Sequence, residues 1–420
     1  MPRKRVCVIG AGPSGLTTLH ALQKLDTETD YEVVCFERYD KIGGIWNFQG
    51  KEGVEEDGLE VHSGMYHNLI TNGPKESVEL PDHLFPLDDP ELTGYPCFPD
   101  RPYMYKYLES YAEKFGLMKF VKFKTWVEDV KFEDETEHFI VRVKDLDTSE
   151  SRIEEPFDFV IVATGHFNYP NYVSYPGQET FKGQVLHSKH FIDGERYKGK
   201  RILVVGASYS AEDIAFQTLR AGAAHVTISY RTKPMQATWP EGIDQRQLLE
   251  RIEGNTVSFI DGSKDDYDVI VYCTGYLHLF PFMEERLRLE THNRMAPPLY
   301  KQIVLPQNPK VFYIGMQDQY YTFTMFWLQG HFVASMIKGD ISVPSKEEML
   351  SEITQSQKQE AELKNCYDDI RFQTTYVNEL AKLTGQVSVD SAELFYVWEE
   401  DRHVDTSTYK EKTHFQSLFR

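Results

Sequence analysis

The glycine cluster GAGPSG near the start of the chain has the spacing of a turn that holds a dinucleotide. It follows a short apolar run typical of a buried strand and precedes a helical pattern. Gly10 permits the tight turn, Gly12 lets the backbone approach a pyrophosphate, and Gly15 permits close packing of helix against strand. The new helix presents free N–H groups and the positive end of its dipole to the phosphates.

An acidic residue ends the second predicted strand of this unit. Glu37 follows YEVVCF, about 20 residues after the glycines, where a carboxylate binds ribose hydroxyls. Strand, glycine turn, helix, strand and acid occur in order, so the segment predicts a dinucleotide site. The two glycines and the aromatic of GGIWN (43–47) would lie along the same dinucleotide. The alternative for GGIWN is a turn followed by a buried tryptophan.

A second, degenerate motif occurs at GASYSA, with Gly206 followed by Ser208 in place of the middle glycine and Ala211 in place of the last. Arg231 follows the next strand where the first unit has Glu37. An acid there would repel a 2′-phosphate, whereas an arginine binds it in bidentate fashion, which favours NADPH over NADH. The alternative is that Arg231 simply snorkels at a strand end, with its charged group in solvent and no phosphate bound.

The two motifs open an internal repeat. RVCVIGAGPSG is closed by FDFVIVATG, and RILVVGASYSA is closed by YDVIVYCTG. Two sites in one chain divide naturally into a tightly held flavin and a nicotinamide. The repeat predicts an α/β fold of two dinucleotide-binding (Rossmann-like) domains, with the NADPH domain (166–274) inserted into an FAD domain (1–165 and 275–420) that carries C-terminal helices. Alternation from Phe120 to Asp145 predicts a β-hairpin or a meander, and VFYIG is expected to return to the first domain.

Composition narrows the function classes. A chain of 420 residues suits two domains, and a net charge of −20 disfavours nucleic acid and anionic membranes as partners. The five cysteines have no metal-ligand spacing, so no metal is expected and a reducing compartment is favoured. No apolar run is long enough to span a bilayer, so we expect a cytoplasmic protein with no membrane partner. A homodimer is left open.

The segment FKGQVLHSKHF fits FxGxxxHxxx(F/Y) at Phe181, Gly183, His187 and Phe191. With the paired nucleotide motifs, the chain resembles the class B flavin-dependent monooxygenases of the flavin-containing monooxygenase family. Within that family, residues 61–76, 206–213 and 314–323 are most similar to the trimethylamine monooxygenases of bacteria. The resemblance extends to about residue 340 and is loose beyond it.

The resemblance implies an enzyme that reduces bound FAD with NADPH and uses O2 to form a C4a-hydroperoxyflavin, which oxygenates a soft nucleophile. The expected reaction is N-oxidation of a small tertiary amine such as trimethylamine. Oxygenation of a sulfide or an indole by the same intermediate is the alternative, and a Baeyer–Villiger monooxygenase is disfavoured because Phe191-Ile192 replaces the usual ending. A disulfide reductase would need a redox cysteine pair, and a non-catalytic nucleotide sensor is the remaining alternative.

The resemblance also implies roles for individual residues. Asn72 would lie beside the reactive edge of the flavin, and Tyr209 would lie near the nicotinamide; the alternative for Asn72 is an Asn-Gly turn. The other expected FAD contacts are Ser14, Glu37, Ile45, Trp46, His62, Val127 (through its backbone) and Gln317, and the NADPH contacts are Gly206, Ser208, Ser210, Arg231 and Thr232.

A returning segment is expected to form the substrate side. Tyr320 would contact cofactor or substrate there, together with Asp318. Trp327 and His331 stand where the resemblance predicts smaller or different residues, which leaves substrate choice open. We expect His187 to have a structural or hinge role, since a flavin mechanism needs no acid or base from it.

Overall fold

The computed structural model describes residues 3–28, 31–55, 58–85, 96–289, 296–317, 320–389 and 392–411. Its strands are β1 Lys4–Ile9, β2 Tyr31–Phe36, β3 Val121–Lys122, β4 Thr125–Glu133, β5 His138–Asp145, β6 Ser151–Ile153, β7 Phe159–Val162, β8 Tyr169–Pro170, β9 Gln184–His187, β10 Arg201–Val205, β11 His225–Tyr230, β12 Ile243–Gln247, β13 Leu249–Glu253, β14 Thr256–Phe259, β15 Lys264–Asp266, β16 Val269–Tyr272, β17 Tyr276–Leu277 and β18 Val311–Tyr313. Its helices are α1 Pro13–Glu28, α2 Lys75–Val78, α3 Arg101–Lys114, α4 Tyr209–Arg220, α5 Thr322–Lys338, α6 Lys346–Ala361, α7 Cys366–Thr384 and α8 Glu393–Val404.

The first motif opens a parallel five-stranded sheet in the order β18-β7-β1-β2-β3. Its central strands are runs of Val, Ile and Cys that are buried, as expected for a sheet covered on both faces. Helix α5 lies so close to α1 that a Cβ on Gly330 would be 2.9 Å from Thr18 Cα. The predicted return of VFYIG to this sheet is confirmed, because β18 pairs with β7.

The second motif opens another parallel five-stranded sheet, in the order β12-β11-β10-β16-β9. All five of its strands lie between β7 and β18 in the chain, so this unit is inserted into the first. The predicted α/β architecture of two Rossmann-like units is confirmed. The chain passes from the first unit to the second and back again, and the antiparallel strands β8 and β17 pair next to these two passages.

The other expected elements are also present. Strands β4 and β5 form an antiparallel hairpin, one of the two arrangements predicted for 120–145, and β6, which lies beyond that segment, extends it to a three-stranded sheet. Helix α6 begins with a capping box between Ser345 and Glu348, and Asn365 caps α7 by accepting from the Asp368 N–H. The expected helical C-terminal part is therefore confirmed, and α8 is the last α-helix in the part of the chain that the structure describes. Among the described residues, no helix is long and apolar enough to cross a membrane.

Candidate cofactor and substrate site

The first glycine turn is held against the ends of two strands. Gly10 has φ of 98° and donates its N–H to the Phe36 carbonyl at 2.9 Å. A Cβ on Gly10 would lie 2.8 Å from the Ala163 oxygen, and a Cβ on Gly15 would lie 1.9 Å from the Gly10 oxygen. No side chain fits at either position, which agrees with the turn and close-packing roles of these two glycines.

The second turn has the same construction. Gly206 has φ of 127°, donates to the Ser229 carbonyl at 2.9 Å, and would place a Cβ 2.2 Å from the Cys273 oxygen. Ser208 is the N-cap of α4, but its side chain makes no capping hydrogen bond. Ser208 and Ser210 are exposed at this helix start, where free N–H groups suit a pyrophosphate.

Glu37 is a buried carboxylate at the end of β2. Its side chain accepts from the Ala11 N–H at 2.7 Å and from the Tyr39 N–H at 2.9 Å. Burial raises the pKa of Glu37, while these two N–H groups act in the opposite direction. The carboxylate is thus fixed beside the glycine turn, where a ribose would lie.

The GGIWN segment lies directly on the glycine turn. Gly43 donates its N–H to the Ala11 carbonyl at 2.9 Å, and a Cβ on Gly44 would be 3.0 Å from Gly12 Cα. Ile45 and Trp46 follow in a short 3₁₀ turn, with Trp46 half-buried. The GGIWN backbone therefore packs directly against the glycine turn, which supports the interpretation of GGIWN as part of the site.

His62 and Val127 lie near the ends of β7 and β2. His62 Nε2 is 3.1 Å from the Thr164 carbonyl, which follows β7, and burial lowers the pKa of His62 to about 4. Val127 is buried in β4, at an irregularity in the pairing of β4 with β5. Thr125, the first residue of β4, donates its N–H to the Glu37 carbonyl. Val127 can therefore offer its backbone near Glu37.

Ser14 lies in the first turn of α1, and Gln317 lies in the segment after β18. Ser14 Oγ donates to the Ala163 carbonyl at 3.2 Å. Gln317 follows β18 and is buried; its Nε2 donates to Tyr376, while its Oε1 finds no partner among the described residues. An orphaned buried acceptor is costly, so a donor from a bound group would satisfy it. With the glycine cradle and Glu37, the residues present fit FAD.

Arg231 and Thr232 follow β11 directly, as Glu37 follows β2. Both side chains are exposed. The residue after the second strand is thus acidic in the first unit and basic in the second, a pattern that suits NADPH in the second.

Asn72 is exposed, and the chain beside it contacts the C-terminal helix. A Cβ on Gly73 would lie 3.5 Å from the Trp398 ring, and Gly73 does not have the positive φ that Asn-Gly turns use. Trp398 stacks on Tyr209 with ring centroids 6.1 Å apart and meets Tyr320 edge-on at 5.7 Å. The structure thus brings together the Asn72 segment, Tyr209 and Tyr320.

A polar network under α8 escaped the sequence analysis. Glu399 accepts hydrogen bonds from Tyr209 and from Tyr320, each at 2.8 Å. Arg402 joins Glu399 to Glu212 at the start of α4. Burial raises the pKa of both tyrosines, and Glu399 adds to the effect. The sequence signal for this network is a tryptophan next to an acidic residue in WEEDR (398–402), and this pattern does not predict which residues the acid contacts.

The segment FKGQVLHSKHF connects the two units. His187 Nδ1 accepts from the Lys189 N–H at 3.1 Å, and Nε2 is 2.9 Å from the Gly275 carbonyl. A Cβ on Gly183 would lie 2.1 Å from the Asp268 oxygen. Phe191 is buried between Tyr66 and Tyr197, while Phe181 packs on the outer face of the second sheet. These contacts agree with a structural role for His187.

Trp327 and His331 lie elsewhere. Trp327 Nε1 donates to Asp82 at 2.8 Å, and its ring contacts His331 at a centroid distance of 4.2 Å. Both residues lie in the α1–α5 region with His20, and none of their described contacts involves Asn72, Tyr209 or Tyr320. Asp318 lies outside the described residues.

One group of ligand-type side chains occurs among the described residues. Cys366, Glu399 and His403 could each offer an atom within 4.8 Å of the others. Arg402 already donates to the same Glu399 oxygen that faces His403. A guanidinium at this point repels a second cation, so the group does not favour a metal.

Comparison with known proteins agrees with this geometry. A family model described as flavin-binding monooxygenase-like matches residues 3–243 and 242–409. The chain belongs to the flavin-binding monooxygenase-like family. It is 42% identical to the trimethylamine monooxygenase of Methylocella silvestris over 98% of this chain and 92% of that protein. The crystal structure of Tmm from Pelagibacter sp. strain HTCC7211 superposes with a TM-score of 0.93 at 37% identity, covering 99% of this chain and 94% of that chain.

A second solved structure, S-allyl-L-cysteine S-oxygenase from Allium sativum, has a TM-score of 0.86 at 27% identity, covering 98% of this chain and 96% of that one. As a flavin-binding monooxygenase, the chain is an enzyme whose cofactors are FAD and NADPH. This result decides against the non-catalytic sensor and the disulfide reductase. The expectation that similarity fades after about residue 340 is wrong, because the family match reaches residue 409.

Proposed function

We propose that this flavin monooxygenase catalyses the NADPH- and O2-dependent N-oxidation of a small tertiary amine, with trimethylamine as the leading substrate. The observation that carries this proposal is the 42% identity, over nearly the whole chain, to a protein named trimethylamine monooxygenase. The aromatic rings of Tyr209, Tyr320 and Trp398 support it, because aromatic rings offer apolar contacts to the methyl groups of a neutral alkylamine.

The proposed roles follow the geometry. FAD, when bound, supplies the redox chemistry and the activation of O2. Asn72 is the neutral amide proposed to donate and accept hydrogen bonds beside the flavin and nicotinamide. Tyr209 is proposed to cover the nicotinamide from the start of α4. The remaining FAD residues are proposed to be Gly10, Gly12, Ser14, Gly15, Glu37, Ile45, Trp46, His62, Val127 and Gln317, and the NADPH residues Gly206, Ser208, Ser210, Arg231 and Thr232, with Tyr320 between them.

S-oxygenation of a sulfide is the second candidate. It is favoured by the similarity to an S-allyl-L-cysteine S-oxygenase at 27% identity over 98% of the chain. A sulfide is also a soft nucleophile, so the same loaded site would accept it. The higher identity to an amine-oxidising relative places it second.

A substrate panel tests the proposal. The purified protein is expected to be yellow, and trimethylamine is expected to raise NADPH consumption and yield the N-oxide in matching amounts. NADPH loss and product must be followed together, since NADPH loss alone also arises from peroxide release. Product from sulfides alone would favour S-oxygenation, and esters from ketones with no amine product would favour a Baeyer–Villiger enzyme. A colourless protein that cannot be reconstituted with FAD would contradict the function.

We further propose domain boundaries at 165/166 and 274/275, supported by the β8–β17 pair that lies just beyond both crossings. A cytoplasmic location is proposed because the five cysteines are free thiols, as is typical of a reducing compartment. A homodimer is proposed as the assembly to test by light scattering. The substrate side is proposed to include Asp318.

A further inference from the structure

Glu399 is a buried carboxylate on α8, with 1% of the residue exposed. Its Oε1 atom accepts from the hydroxyl of Tyr209 and from the hydroxyl of Tyr320, both at 2.8 Å. Tyr209 begins α4 in the inserted unit, whereas Tyr320 follows β18 of the first sheet. A single oxygen atom on α8 therefore holds one side chain from each nucleotide-binding unit.

We propose that Glu399 is a positioning residue, which fixes the rings of Tyr209 and Tyr320 over the site and makes α8 the outer wall that retains NADP⁺ and excludes water. This proposal rests on the proposed function for the roles of the two tyrosines. It assigns the C-terminal helix to the reaction, a part of the chain for which the sequence offered no role.

The Glu399 carboxylate is paired with Arg402. The Arg402 Nη1 atom donates to Glu399 Oε2 at 3.1 Å, and Nε and Nη2 donate to Glu212 at 2.9 and 2.7 Å. The guanidinium also lies 4.4 Å above the Tyr209 ring. A buried charge needs such pairing because desolvation alone would disfavour it.

Glu212 connects the network to the phosphate side of the site. It lies in the first turn of α4, is 3% exposed, and accepts from the Tyr409 hydroxyl at 3.1 Å. An acid in this turn also faces the helix N-terminus that is proposed for the pyrophosphate, so Arg402 offsets a charge that would repel NADPH. The network thereby couples the position of α8 to the site that binds the dinucleotide.

The geometry separates this role from simple packing. Tyr321, next to Tyr320, also contacts α8 through Phe395 at a centroid distance of 4.5 Å, but its hydroxyl bonds to Thr374 at 2.7 Å. Tyr321 is fully buried and of the same residue type. It is therefore a matched control: its hydroxyl supports the helices without reaching Glu399.

The test uses the FAD-loaded protein and the substitutions Glu399→Gln, Tyr209→Phe, Tyr320→Phe and Tyr321→Phe. The dissociation constant of NADP⁺ is measured by calorimetry without turnover, and the fraction of NADPH that ends as hydrogen peroxide is measured with trimethylamine. Glutamine keeps an acceptor for the tyrosines but turns an amide toward Arg402. Glu399→Gln is expected to weaken NADP⁺ binding roughly tenfold, as for one lost charge-assisted hydrogen bond, and to raise the peroxide fraction.

The effects of Glu399→Gln and Tyr209→Phe are expected to be strongly non-additive, because both act on the same hydrogen bond: the first removes the charge on its acceptor and the second removes its donor. Full additivity, or an equal loss in Tyr321→Phe, would overturn the proposal. If Glu399→Gln fails to fold, Tyr320→Phe gives the test alone: it removes one donor to the same oxygen, and unchanged NADP⁺ affinity and peroxide fraction would count against positioning. NADP⁺ affinity is independent of the product, so a wild-type enzyme that makes no N-oxide contradicts the proposed function and not this inference.

Discussion

Replacing His187 by glutamine tests whether the histidine of FKGQVLHSKHF is an uncharged side chain that links two backbone segments through hydrogen bonds. In the folded protein, Nδ1 accepts from a backbone N–H and Nε2 donates to the Gly275 carbonyl, so the ring has no place for a second proton. Burial lowers the pKa of His187 from 6.5 to about 4. Glutamine can replace part of this bonding, and it does not titrate.

The pKa shift sets the sign and the size of the effect. Between pH 6.5 and about 4 the unfolded chain binds a proton at His187 that the folded chain does not. The contribution of His187 to stability is therefore complete above pH 6.5 and is lost as the pH falls toward 4. With these two pKa values, the loss at pH 5 is about 2 kcal/mol. At pH 7 the variant is expected to be less stable by about 1–3 kcal/mol, for imperfectly satisfied buried groups.

The assay is urea-induced unfolding of wild type and His187→Gln at pH 7 and pH 5, with the cofactor content of both proteins matched. Other buried histidines titrate equally in both, so the difference between the two proteins isolates His187. The stability advantage of wild type is expected to shrink by about 2 kcal/mol between the two pH values. An advantage that stays constant, or an NMR titration of His187 near pH 6.5 in the folded protein, would refute the reasoning.

Three further substitutions test the cofactor sites. Gly15→Ala is expected to lower the melting temperature even of the apoprotein, because its Cβ would lie 1.9 Å from a backbone oxygen. Gly12→Ala, with a nearest contact of 3.4 Å, is expected to keep the melting temperature of the wild-type apoprotein but to lose FAD. Equal melting temperatures of the two variant apoproteins would contradict this prediction. Arg231→Ala should weaken NADPH, but not NADH, by about 1.5–3 kcal/mol, as measured by the two KM values; an equal loss would remove the 2′-phosphate assignment. Asn72→Asp should lower N-oxide formation more than FAD content, and unchanged turnover would exclude Asn72 from the site.

Local pattern was sufficient for most of the fold. The apolar runs that end in glycine turns became the central strands of two sheets, because parallel strands buried on both faces read as continuous apolar segments. The equivalence of Glu37 and Arg231 could also be predicted, since each follows the second strand of its unit directly. Both predictions depend on residues that are close in sequence.

The contacts of α8 depend on residues that are far apart in sequence. Glu399 meets Tyr209 and Tyr320 across 190 and 79 positions, and no period or motif announces such a pairing. The sequence WEEDR is typical of an amphipathic helix with a charged, solvent-exposed face. Trp327 and His331 show the converse error of sequence reasoning. Their residue types suggest a role in substrate choice, but in the structure they pack beside His20 and Asp82 in the helical core.

The joint between the two units is built from backbone carbonyls at strand ends. Gly10 and Gly206 are pressed against the oxygens of Ala163 and Cys273, and His187 holds the Gly275 oxygen just beyond the second of these. Each cofactor turn is thus placed by the strand that closes its own unit. Because β9, which ends at His187, pairs with that closing strand of the inserted unit, we expect a change in the FKGQVLHSKHF segment to act on the proposed nicotinamide site through β16 and the turn after it. Such a positioning role requires no acid–base chemistry from the His187 ring.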